Sequence, residues 1–431
     1  MALTGRTGLL ALLGALVVGL LLPSWPGILL VQAVLALLVG VDVALAGAVR
    51  RLGFERSGAT AVRLGQAAEV TLTVANPGLR RVRGVLRDAW PPSAGTGAAR
   101  HALDVPAGER RRVTTVLHPT RRGDRAAFRV TVRSVGPLGL AARQGSHEVP
   151  WTVRVLPPFH SRRHLPSRLA RLRELDGRTA VMVRGQGTEF DSLREYVVGD
   201  DVRSIDWRAT ARAADVMVRT WRPERDRHVL VVLDTGRTSA GRVGDAPRLD
   251  AALDAALLLA ALASRAGDRV DLLAYDRWVQ ADVQGAASAE LLPALVSAMA
   301  PLQPSLVEAD MRGLAVQVLR RAGRRSLVVL ITGLDAAPVE EGLFPVLPQL
   351  VTRHQLVVAS VADPRVSAMA AGRGDAVAVY EAAAAERARA ERSRTTTALV
   401  RRGVEVVDAP PEELPPALAD RYLALKAAGR L

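Results

Sequence analysis

The chain has no cysteine and one lysine, Lys426, and aromatic residues make up 3% of its 431 positions. Without cysteine there is no disulfide, no thiolate nucleophile and no cysteine-based zinc site, which agrees with a cytosolic setting for the soluble part. A Walker A loop needs a lysine directly after its second glycine, and Lys426 stands in no such loop. Few aromatics means few platforms for stacking bases, so the formal net charge of +15 does not by itself indicate nucleic acid. The basic residues are almost all arginine, which together with abundant Ala and Gly reads as a compositional bias of the source genome. The glycines of Gly185-Gln186-Gly187 lack the third member of a dinucleotide fingerprint, no G-x-S-x-G or H-E-x-x-H run is present, and the seven histidines are scattered. His160 and His164 are four apart, but in a basic, proline-bounded stretch without a paired acid. Catalysis is not expected.

The polar residues are also missing from one end. Gly8 to Leu22 carries no polar side chain, Pro23-Ser24-Trp25-Pro26 interrupts, and Gly27 to Val49 is apolar apart from Gln32 and Asp42. Each run approaches or reaches the ~20 residues that a helix needs to cross a bilayer. The prolines break the helix where an indole would sit at the interface, so residues 1–52 read as a two-pass transmembrane hairpin. Arg6 precedes it, Arg50, Arg51 and Arg56 follow it, and its loop has no positive charge. The positive-inside rule then places both ends, and all the soluble mass, in the cytoplasm of a bacterial inner membrane. Membrane lipid is the expected neighbour of these arginines and of the basic group Arg162, Arg163, Arg168, Arg171 and Arg173. For Asp42, snorkelling or a helix–helix contact is expected.

Residues 53–156 contain short alternating segments (AVRLG, EVTLTVA, RVRGVLRDA, RRVTTVLH, AAFRVTVRS, WTVRVLP) parted by turn residues, which predicts an all-β sandwich. Residues 157–186 turn to Pro, His and Arg and read as a basic linker, helical around Ser167 to Leu175. From 228 to 431 the pattern alternates. HVLVVLD, RVDLLAYD, SLVVLIT, QLVVASVAD and VEVVDA are strands, whereas Leu249 to Ala266, Glu290 to Ala300, Met311 to Arg321 and Ala382 to Arg401 are helical by period. Continuous apolar strands between helices predict a Rossmann-like parallel sheet covered on both faces.

Residues 187–227 join these regions and hold the densest chemistry. Glu189, Asp191, Glu195, Asp200, Asp201 and Asp206 lie among Arg194, Arg203, Arg208 and Arg212, with Phe190, Tyr196 and Trp207 between them. Acids and arginines around aromatic anchors suit a pinned structural element or a face for a partner. This stretch resembles the signature of the bacterial domain-of-unknown-function 58 family. Asn76-Pro77, Asp88 in LRDAWPP, Pro119 to Gly123, Arg133 to Leu140, and Arg219, Glu224 and Arg225 ahead of HVLVVLDTGRTSA extend the resemblance over most of the chain from about residue 50.

The resemblance implies an immunoglobulin-like β domain followed by a von Willebrand factor A-like domain behind a membrane hairpin. It also implies association with a MoxR-type AAA+ ATPase in the assembly or maturation of other proteins at the envelope. In A-like domains an Asp and two hydroxyl residues, joined by a later Thr and Asp, surround a hard cation through oxygen ligands. Here Asp234 and Thr238 match, Ser305 stands in for the later Thr, Gly236 replaces a Ser, and Gly333 falls where the last Asp is expected. So degenerate a set points to Asp234 capping a loop or helix rather than to bound Mg2+ or another divalent cation, and no cofactor is expected. The expectation is a non-enzymatic membrane-anchored scaffold. Its rivals are a cation-dependent adhesion-type module and an enzyme built on the acid–arginine cluster, with nucleic-acid binding last.

Overall fold

The computed structural model describes residues 1–21, 23–182, 189–213, 215–222 and 227–431. The chain divides into two units, Met1–Pro158 and Phe159–Leu431.

The first unit opens with strand β1 (Ala2–Leu3) and helices α1 (Gly5–Leu21) and α2 (Trp25–Leu45). Ser24 caps α2 by accepting a hydrogen bond from the Gly27 amide at 3.3 Å, and Pro26 takes a first-turn position where its missing N–H costs nothing. Both helices are apolar on all sides, and most of their leucines are exposed, among them Leu12, Leu20, Leu29 and Leu37. They touch at Gly14, where a Cβ would come within 2.6 Å of Val31 Cγ1. The run from Trp25 to Arg51 is long and apolar enough to cross a membrane, and α1, at 17 residues, is a shorter apolar helix.

Strands β2 (Gly53–Gly58), β3 (Ala61–Arg63), β4 (Ala68–Ala75), β5 (Val82–Ala89), β6 (Arg100–Val105), β7 (Arg110–Leu117), β8 (Gly123–Val135) and β9 (Ala141–Leu156) follow. They form two sheets, one ordered β1-β9-β8-β5-β6 with β3 beside β9, the other β2-β4-β7. Alternation decides the faces: Val70, Leu72 and Val74 of β4 point inward and Thr71 and Thr73 do not. Leu72 and Val74 share a core with Leu86, Val130 and Val132 of the facing sheet. Strands β2 and β6, GFERSG and RHALDV, have too few apolar residues to be read from the sequence.

Two expectations change here. Arg56 is not a membrane-flanking charge. It is buried in the sandwich, where its guanidinium grips Asp88 at 2.6 and 3.1 Å and donates to the Val149 carbonyl at 2.8 Å. Trp90 Nε1 and Thr115 Oγ1 also donate to Asp88, at 2.9 and 3.2 Å, so the buried carboxylate is fully engaged. Asp42 neither snorkels nor meets the other helix. Buried at the end of α2, it accepts the backbone N–H groups of Leu138, Leu140 and Ala141 at 2.7, 2.7 and 2.8 Å. Thr4 and Thr7 donate to the carbonyls of the same turn, and β1 pairs with Ala141 and Ala142. The RSVGPLGL stretch is thus the seat of both helices, and Gly136 is required there because a Cβ would lie 2.2 Å from Asp42 Oδ1.

The second unit begins with a 3-10 turn (His160–His164) and a helix (Leu165–Met182). The first part of the expected linker 157–186 is therefore packed, at Ser161, Arg168 and Leu172. Ser161 donates its amide and hydroxyl to Asp254 at 3.1 and 2.9 Å, Leu172 is buried, and Arg168 pairs with Asp420 at 3.0 Å. An antiparallel ribbon of β10 (Glu189–Glu195) and β11 (Met217–Arg222) leads to β12 (His228–Asp234). A two-residue ribbon (β13, Arg242–Val243; β14, Ala246–Pro247) and strands β15 (Arg269–Tyr275), β16 (Val279–Val283), β17 (Leu327–Ile331), β18 (Gln355–Val361) and β19 (Glu405–Ala409) complete the set.

The main sheet is ordered β16-β15-β12-β17-β18-β19 and is parallel except for β16. Counted along the chain this is 3-2-1-4-5-6, the doubly wound order, which reverses beside β12. Leu230 and Val232 of β12 pack with Leu314 and Val318 of the helix Met311–Arg321. The helix Arg248–Arg265 also lies against β12, β15 and β18, and its Leu253, Leu257, Leu258 and Leu262 are fully buried.

Candidate functional site

The carboxyl edge of the sheet is where ligands bind in doubly wound folds. Parallel pairing sets Leu233 beside Ile331, so the next residues, Asp234 and Thr332, emerge together. Asp234 is buried; its Oδ2 accepts from Thr238 Oγ1 at 2.7 Å and Thr332 Oγ1 at 2.6 Å, and its Oδ1 accepts from the Gly236 amide at 2.7 Å. Burial pushes its carboxyl above the usual range, opposed by these three hydrogen bonds. Sequence reading does not single out Thr332, although a hydroxyl directly after the buried run LVVLI was the available signal.

The two positions where the resemblance lacks a ligand are filled by chain. A Cβ at 236 would lie 2.9 Å from the Val307 carbonyl oxygen, and one at 333 would lie 2.8 Å from Asp335 Oδ2 and 2.9 Å from Thr238 Cβ. Ser305 serves another acid, donating to Asp276 Oδ2 at 2.7 Å. Burial raises the Asp276 carboxyl, but bonds from Ser305, Gln280 and the Trp278 and Arg277 amides outweigh it and hold the group below its ordinary range. Asp335 lies 3.5 Å from the Arg248 guanidinium. Among the described residues no three His, Asp or Glu side chains are placed to share a metal ion. What Asp234 does chemically is tie the end of β12 to the turn Arg237–Ala240 and to β17.

The second candidate locus is the ribbon β10–β11 and the segment between its strands. Leu193 pairs with Arg219, Arg194 with Val218 and Glu195 with Met217. The side chains of Glu189 and Asp191 lie outside the described residues. Glu195 is exposed, whereas the three aspartates turn into the module. Asp200 binds Arg194 at 2.5 Å and accepts from the Val197 amide at 2.9 Å, and Asp201 caps the turn Val202–Ser204 through the Arg203 amide at 3.0 Å. Asp206 caps the turn Trp207–Thr210 through the Arg208 and Ala209 amides, both at 3.0 Å, and binds Arg219 at 2.8 Å. The Ala209 amide, then the Arg219 guanidinium, hold the Asp206 carboxyl below the usual range, so it has no proton to give near neutrality. Tyr196 is half-buried and donates its amide to the Val216 carbonyl at 2.8 Å.

The cations and apolar groups face outward. Arg203, Arg208 and Arg212 are exposed, and among the described residues their guanidinium groups have no acidic partner. Trp207 is 68% exposed, Val198 95%, and Val197 and Val202 each 61%. Sequence reading placed these residues in one cluster but could not separate the acids that cap turns from the arginines that do not.

A sequence model of the family described as "Protein of unknown function DUF58" matches residues 192–409, which spans the outer part of this module and the sheet. Uncharacterized proteins of Mycobacterium bovis and Mycobacterium tuberculosis are 28% identical over 193 residues, 44% of this chain and 60% of theirs. The match therefore spans less than two thirds of these relatives. Among solved structures, a CARDB domain from Pyrococcus furiosus is 20% identical over 24% of this chain and 91% of its own, with a TM-score of 0.19. An Escherichia coli alpha-2-macroglobulin is 14% identical over 26% of this chain and 18% of its own, with a TM-score of 0.22. Likenesses at these scores carry no argument.

Proposed function

The chain belongs to the DUF58 family, and from that premise we propose that it is a non-enzymatic, membrane-anchored adaptor that recruits a cytosolic MoxR-type AAA+ ATPase. In this reading the doubly wound sheet is a von Willebrand factor A-like domain whose cation site has been given up to hydrogen bonds. The ribbon module is the recruiting face. One observation carries the proposal: Asp200, Asp201 and Asp206 are engaged in caps and pairs with other groups, which leaves Arg203, Arg208 and Arg212 exposed in the same module as Trp207 and three exposed valines. Exposed tryptophan and arginine together are the residue types that dominate interface energetics, and a monomer gains nothing by displaying them.

The two-pass anchor is supported by the common seat. Thr4 and Thr7 at the start of α1 and Asp42 at the end of α2 hold one turn of the β domain, so both outer helix ends lie on its side. At 1.5 Å per residue, the 17 and 21 residues of the helices reach about 26 and 32 Å, near the ~30 Å hydrocarbon thickness. Arg6, Arg50 and Arg51 at that end favour the cytoplasm.

Affinity purification of the full chain from bacterial membranes, with and without ATP, tests the function. The proposal expects an AAA+ ATPase whose recovery depends on nucleotide. Recovery of the chain with no ATPase under either condition would sink it.

A further inference from the structure

We propose that two loops of the β domain, 76–81 and 136–140, form a collar that seats on an anionic lipid bilayer, with Leu79 and Leu138 in the headgroup layer. The inference rests on the membrane-anchor reading and adds a site to it. Both loops are held at the last turn of α2: Arg80 donates to the Ala44 carbonyl, and the Leu138 amide binds Asp42 at 2.7 Å. Where α2 leaves the apolar layer, the loops must lie at the interface.

Their construction is specific. The Asn76 amide donates to the carbonyls of Arg80, Val105 and Pro106 at 2.9, 3.0 and 3.2 Å, while its oxygen accepts from the Gly78 amide at 3.1 Å. The buried Asn76 side chain thus closes the loop on itself through Arg80 and Gly78 and ties it to Val105 and Pro106, and the loop's tip is Leu79, 96% exposed. A rigid turn that displays a leucine to water has no stability rationale, since the apolar gain comes only when that side chain leaves water. Leu138, 46% exposed, repeats the arrangement at the other loop. Exposed Arg6 and Arg80 flank the two leucines, with Arg50 and Arg51 a few residues beyond α2. Basic side chains around apolar tips match anionic headgroups above acyl chains, and each arginine near such a surface adds to the attraction.

The absence of cysteine makes the test direct. Leu79→Cys, at an exposed site, and Ala67→Cys, at the opposite end of β4, are each labelled with an environment-sensitive NBD dye in the full chain. The protein is incorporated into phosphatidylglycerol or phosphatidylcholine vesicles, and retention is checked by flotation. The collar predicts a blue shift at 79, quenched by lipids spin-labelled near the headgroup and stronger in phosphatidylglycerol, with no shift at 67. Retained protein whose dye at 79 emits as in water overturns the collar and leaves the anchor standing. Equal shifts in both lipids overturn the role given to the arginines. Failure to float with the vesicles overturns the anchor, and the collar with it.

Discussion

The β domain and the ribbon module use the same chemistry to opposite ends. In the β domain, Arg56 and Asp88 are both 1% exposed at their side chains, and every oxygen and nitrogen of the pair has a partner in the same sheet sandwich. In the module, Arg219 is 46% exposed and its partner Asp206 mostly serves as a helix cap. A closed pair has no group left for an outside partner, whereas an open one leaves neighbouring charges available. The contrast is the ground for proposing a structural role for the first region and recognition for the second.

The largest effect is expected in the closed pair. Asp88→Ala strands a buried guanidinium, at a cost of about 3–5 kcal/mol. Thermal melting followed by circular dichroism should show the β domain lost or unfolding far earlier. A variant that melts within a degree or two of the parent would show that the pair is not buried as described.

A smaller effect sharpens the comparison at a third place. Gly236→Ser restores the hydroxyl that a cation site would use, but the Val307 carbonyl already occupies that space. Overpacking of this kind costs about 1–3 kcal/mol. Calorimetry should find no micromolar Mg2+ or Mn2+ binding in parent or variant; tight binding abolished by Asp234→Ala would revive the adhesion-type reading.

Acid should act on the open pair. The folded Asp206 carboxyl titrates below its ordinary value of 3.8, so its contribution is complete above that value and is lost as pH falls through the depressed one. Amide exchange protection at Arg208 and Ala209 is expected to fall on acidification below about pH 4 in the parent. In Asp206→Asn that pH dependence should vanish. Persistence of the same dependence in the variant would assign it to another group.

What could be read from the sequence follows from how local the signal was. The helix at Met311–Arg321 and the apolar runs of β12, β15, β17, β18 and β19 announce themselves by period, because burial on one or both faces is written into consecutive residues. The edge strand β16 escaped, since WVQADV pairs on one side only and keeps its polar residues. Asp42, Arg56 and Thr332 escaped for another reason. Their partners are 98, 32 and 98 positions away, and a lone polar residue in an apolar run carries no mark of what will satisfy it. The resemblance named Asp88, Asn76 and the RSVGPLGL stretch without a role for any of them; each holds one turn or pair in place.

The most direct test of the account is a charge reversal confined to the outward face, Arg203→Glu with Arg208→Glu, read in parallel for melting and for the ATPase that co-purifies from membranes. Neither residue is paired among the described residues, so stability should change by no more than about 0.5 kcal/mol. The account predicts an unchanged melt and a loss of the ATPase. A folded variant that keeps its ATPase undiminished would contradict it.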